Sequence, residues 1–82
     1  MTQLQEAFLS ELKSESRLTI NDYVALYNKY SKLAIEHEEN SGADKNQAKV
    51  MGSYYIVSIL TDFVTDESLR TRIIQLSDHA AL

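Results

Sequence analysis

No cysteine, no proline and no tryptophan occurs among the 82 residues of this chain, and glycine occurs only twice. Without cysteine a disulfide is excluded, and so is a thiolate nucleophile. Without proline nothing breaks a helix outright, which leaves Gly42 and Gly52 as the only strong punctuation. Two isolated glycines cannot build a phosphate-cradling loop. Long apolar runs are missing too. The longest nearly uncharged stretch, VMGSYYIVSILT between Lys49 and Asp62, has twelve residues, against the ~20 that a membrane-spanning helix needs. The start, MTQLQEAFLSELKSE, mixes charged and apolar residues at helical intervals and lacks the basic start, apolar run and cleavage site of a secretory signal. With no disulfides to favour an oxidising compartment, the expected location is the cytoplasm.

Positive charge is scarce. Eight Lys and Arg face twelve Asp and Glu, a net charge of −4, whereas affinity for nucleic acid comes largely from cations that neutralise phosphates. A helix-turn-helix reader would have only Arg70, Arg72 and Gln75 to offer, with Asp66, Glu67 and Asp78 around them. Nucleic acid is therefore not an expected partner, and a small helical transcription regulator is the weakest of the alternatives.

Chemistry is equally sparse. No Gly-x-Ser-x-Gly elbow is present, and the serines are scattered. At helical offsets His37 has Leu33, Ala34, Asn40 and Ser41, and His79 has Gln75, Leu76 and Leu82, so neither shares a face with a ligand-type acid. No enzyme activity, metal or cofactor is expected.

What the chain does contain is helical periodicity. Its length allows one domain, 1–82, with a thin core. Leu4, Phe8, Leu9 and Leu12 form a stripe for a helix over about 2–14, and Ser14 and Ser16 weaken it after that. Thr19 and Asp22 have capping-box spacing and open a helix over about 20–40. Its apolar face runs through Ile20, Tyr23, Val24, Tyr27, Tyr30 and Ala34, and the acids Glu36, Glu38 and Glu39 oppose its dipole, predicting fraying around EENSG. Gly42 is placed to stop it. Asp44 and Gln47 repeat the capping-box spacing for a helix over about 45–64, and Thr65 or Asp66 caps a last one over about 66–78, carrying Leu69, Ile73, Leu76 and Ile74. The final DHAAL is expected to fray. The fold class that follows is all-α, a small bundle of about four helices built on an antiparallel hairpin of the two long ones.

The stretch SYYIVSIL, residues 53–60, stands out because its apolar side chains point in every direction around a helix except that of Ser58. Such a helix is either central in its bundle or pressed between its own domain and another chain. Tyr23, Tyr27 and Tyr30 form a further line on the second helix, and tyrosine suits places where one end of the ring is buried and the other wet. Ala48 and Gly52, four apart, leave a notch through which another backbone could approach. The candidate partner-binding residues are thus Tyr23, Tyr27, Tyr30, Gly52, Tyr54, Tyr55 and Ile59. Each also fits a core position, and Ile59 fits the core better.

The expected function is a small acidic protein-binding module, an adaptor, inhibitor or chaperone-like protein that occludes or stabilises another protein, with a second copy of the chain as the first expected partner. The alternative is an acidic mimic of nucleic acid, using the densest negative patch, Glu36, Glu38, Glu39 and Asp44. Salt separates the two, because binding by mimicry weakens with ionic strength and apolar occlusion does not. The string MTQLQE, followed by a hairpin turning at NSGADKNQ, resembles the layout of the small helical co-chaperones of bacterial type III secretion needle subunits. That resemblance implies a heteromeric partner with a concave helical-repeat surface. It covers those two strings only, leaves the fourth helix outside, and assigns the chain to no family.

Overall fold

A computed structural model describes residues 2–14 and 18–77, and within them the chain forms four helices: α1 (Gln3–Ser14), α2 (Ile20–Asn40), α3 (Lys45–Phe63) and α4 (Glu67–Leu76). The expected helix break at Ser16, the end of the last helix at Asp78, the fraying of DHAAL and the surroundings of His79 lie outside the described residues.

Each start is set by a side chain that satisfies backbone amides left free at a helix N-terminus. At α2 the Thr19 hydroxyl accepts from the Asp22 amide at 3.2 Å, while the Asp22 carboxylate accepts from the Thr19 amide at 2.9 Å. Aspartate, although shorter than glutamate, closes the box. At α3 the Asp44 carboxylate accepts from the Gln47 amide at 2.8 Å, and at α4 Asp66, not Thr65, accepts from the Leu69 amide at 3.2 Å.

The end of α2 departs from the fraying expected of its three acids. The helix runs to Asn40, Gly42 takes φ 103°, and the amides of Gly42 and Ala43 donate to the carbonyls of Glu39 and Glu38, both at 3.1 Å. This is the Schellman arrangement, which occupies the last carbonyls directly and so outweighs a dipole penalty of a few tenths of a kcal/mol per exposed acid. The same turn sends α3 back along α2 as an antiparallel hairpin, the main interface of the fold. At the far end of α3, Arg70 on α4 donates through Nη1 to the Val64 carbonyl at 2.8 Å and closes that terminus.

Periodicity leaves open which helix is central, and packing decides it. α2 shares an interface with each of α1, α3 and α4, whereas the interfaces of α3 are with α2 and α1. The core is built from Phe8 and Leu12 of α1, Tyr27, Tyr30 and Ala34 of α2, Ile56, Ile59 and Leu60 of α3, Val64, and Ile73 of α4. The α1 stripe lies where its spacing put it. Leu76 does not: it is exposed, beyond Ile73, which is fully buried, and Ile74, which packs partly against the core.

The hairpin seam is unusually close. A Cβ added to Gly52 would stand 2.7 Å from the Ile35 nitrogen and 2.9 Å from both the Ala34 carbonyl carbon and the Ile35 Cα. The notch of Ala48 and Gly52 is real, then, but the backbone that enters it is α2 of the same chain.

Candidate functional site

The residues singled out in sequence divide sharply once packed. Tyr27, Tyr30, Gly52 and Ile59 are buried in the chain's own core and offer nothing to a partner, which corrects the interface reading of those four. The reason is the central position of α2, whose tyrosine line faces the other helices rather than solvent. Tyr23 is half-buried against the core. Tyr54 is 65% exposed, and Tyr55 beside it is half-buried, its ring meeting that of Tyr54 edge-on at 6.4 Å between centroids.

Tyr54 is not isolated. Val50 is 56% and Met51 41% exposed, one turn before it on α3. At about 100° per residue these three share one side of the helix with Gln47, Ser58 and Thr61. Gln47 and Thr61 are exposed and Ser58 half-buried. No Lys, Arg, Asp or Glu falls on that side between Gln47 and Thr61. The opposite side carries Ala48, Gly52, Ile56 and Ile59 into the hairpin. The ring of apolar residues in SYYIVSIL is therefore explained in two parts: one half meets α2 and α1, and the other half, uncharged over about four turns, meets no main interface of the fold. Val50 and Met51 stand just before SYYIVSIL, outside the residues expected to bind a partner. A signal for Val50 is present in the sequence, as Val50, Tyr54, Val57 and Thr61 recur at spacings of four and three. One edge of this face adjoins α1, where Gln5 Nε2 donates to the Tyr55 carbonyl at 3.2 Å.

The tyrosines inside the bundle have distinct roles. Tyr30 stacks at a tilt on Phe8, with 5.3 Å between ring centroids, and donates its hydroxyl to the Glu11 carboxylate, which also receives Lys29 Nζ at 3.2 Å. Lys29 Nζ lies 5.1 Å from the Tyr30 ring centroid, so the cluster ties α1 to α2 through a hydrogen bond, an ion pair and a cation–π contact. Burial, followed by the bond to Glu11, pushes the Tyr30 pKa up to about 12, and the bonds from Tyr30 and Lys29 hold Glu11 below its ordinary value. A lowered carboxylate contributes stability above its unfolded pKa, near 4.5, and loses it as pH falls through the lowered value. A raised phenol contributes below its unfolded pKa, near 10.0, and loses it as pH rises toward 12. Thermal melts should accordingly show a plateau between these limits and a fall on either side. In Tyr30→Phe the alkaline fall should be smaller, with a remainder from Tyr27, which burial also raises. A Tyr30→Phe profile that overlays the parent's above pH 10 would remove this account.

Tyr27 is fully buried, and among the described residues its hydroxyl, with those of Ser31 and Ser53, has no hydrogen-bond partner. Ser31 lies near enough to oppose the upward pKa shift of the phenol but does not reach hydrogen-bonding geometry. An unsatisfied buried hydroxyl costs about 1–3 kcal/mol. Tyr27→Phe, which keeps the ring, should therefore raise stability by about 1 kcal/mol, read as a higher urea midpoint at unchanged slope. A lower midpoint would show that the hydroxyl is satisfied after all.

The acidic patch is less uniform than its sequence suggests. Glu36, Glu39 and Asp44 are exposed and Glu38 half-buried, and the Asp44 carboxylate is engaged at the α3 cap. Arg72 and Gln75 line an open groove on α4 with Glu67, Ser68 and Thr71, while Arg70 is engaged with Val64. Among the described residues no three or more His, Asp or Glu side chains converge as a metal site, and no helix is long and apolar enough to cross a membrane. No protein-family model, no curated protein and no solved structure matches this chain.

Proposed function

We propose that this protein is a binding module that acts by occluding or stabilising another protein, and that its contact surface is the outer face of α3. The observation that carries the reading is the joint exposure of Val50, Met51 and Tyr54 on a side of α3 that carries no charge over about four turns. Single exposed apolar residues are ordinary. A contiguous group of three, one of them aromatic, is the composition of an interface centre. Of the five large apolar residues that the described bundle leaves exposed, Leu33 lies on α2 and Leu76 on α4, and the other three are grouped on this side of α3.

A benzophenone amino acid placed at position 51 or 54 in the native host should give a discrete cross-linked protein adduct after illumination. The same probe at Arg72 or Gln75, on the α4 groove, should not. Adducts from α4 with none from α3 would move the surface elsewhere, and no adduct from either would end the binding reading.

A further inference from the structure

We propose, resting on the α3 reading above, that the partner received by this face is an amphipathic helix whose apolar stripe is bordered by Lys or Arg, rather than a second copy of the chain. The first argument is charge. Asp44 and Asp62, both exposed, stand at the two ends of α3, about 27 Å apart at 1.5 Å per residue; Asp44 is the extended N-cap residue, and its carboxylate is held at the amide of Gln47, a residue of the outer face. By helical count Asp62 lies on the edge of the outer face that carries Met51, Tyr55 and Ser58, and Asp44 closes the other end of the face at its cap. Lys45 and Lys49 fall on the opposite side of the helix. The edge of Met51, Tyr55 and Ser58 adjoins α1 through Gln5 and Tyr55, and the uncharged face beside it is acidic at both ends.

A second copy meets this face badly. Two antiparallel α3 helices related by a two-fold axis near Tyr54 bring each Asp44 beside the copy's Asp62, because residue 53 is the midpoint of the pair. Like charges are opposed twice, between chains that already carry −4 each. The second argument is area. The face is about 21 Å long and about 10 Å wide, well below the ~800 Å² per partner of a stable standard-size interface. Those dimensions suit one helix of about fourteen residues laid along α3.

The test uses two synthetic eighteen-residue peptides with the same leucine stripe at helical spacing, one bordered by lysine and one by glutamate, titrated against the full chain by fluorescence anisotropy. The lysine peptide should bind about tenfold more tightly at low salt, with the advantage shrinking as salt is added. Tyr54→Lys should abolish binding. Asp44→Asn with Asp62→Asn should erase the preference while keeping the fold, because asparagine caps a helix as well as aspartate does. Equal binding of both peptides, still lost in Tyr54→Lys, would overturn the charge assignment and leave the face standing. Failure of both peptides, with a concentration-dependent dimer that Tyr54→Lys dissociates, would make the second copy the occupant. Failure of both with a monomer at every concentration would overturn this inference and the reading of the α3 face together.

Discussion

Gly52→Ala should destabilise the protein by about 2 kcal/mol, although the substitution replaces the poorest ordinary helix former with the best. In an exposed helix interior the exchange is favourable by about 1 kcal/mol. Here the new methyl would meet backbone atoms of Ile35 and Ala34 at 2.7–2.9 Å, and backbone cannot rotate away as the end of a flexible side chain can. The helices must separate, and separation loosens the contacts of Ala34, Ala48 and Ile56, all buried in or beside the seam. Overpacking of this kind costs about 1–3 kcal/mol or more, which exceeds the propensity gain. For a chain of this size the melting temperature should fall by about 8–16 °C. A melting temperature equal to or above the parent's would mean that α2 and α3 are further apart than described.

Ile73→Ala should cost about 2–5 kcal/mol, and the loss should be concentrated in α4. Ile73 is the one fully buried side chain of a ten-residue helix, assisted by the half-buried Leu69 and Ile74. A helix that short is not stable in water alone, so its order comes from docking. Removing three carbons from its anchor deprives it of most of that docking, while the α2–α3 hairpin retains its own seam and caps. Hydrogen exchange should report the loss of protection across 67–76 first and most strongly, with the best-protected amides of α2 and α3 still exchanging more slowly than those of α4. Uniform loss across all four helices would show instead that α4 and the hairpin unfold as one unit. Arg70 offers a further check, since undocking of α4 also frees the Val64 carbonyl.

The local features of the fold were legible in the residues because they depend on neighbours in the chain. Thr19 with Asp22, Asp44 with Gln47, and Gly42 act over three to five positions, and each stands in the structure where its spacing placed it. The stripes of α1 and α2 were legible for the same reason. Among the candidate site residues, Tyr54 and Tyr55 kept an outward or partly outward position, whereas Tyr27, Tyr30, Gly52 and Ile59 went inward. A tyrosine suits a wet interface and a nearly dry core equally well, and the partner that settles the matter for Tyr30, Glu11, is nineteen positions away on another helix.

By itself, then, the sequence determined that the chain is helical, where its helices start and stop, and that α3 carries more apolar surface than one neighbour needs. Only the tertiary structure decided which side of α3 is used within the chain. Periodicity ranks directions around one helix, but choosing among them depends on the order of packing, and that order placed α2 at the centre and α3 at the side. The physical reason lies at Gly52: the absence of a side chain lets α2 approach so closely that the hairpin commits one face of α3 to α2 and leaves Val50, Met51 and Tyr54 facing outward.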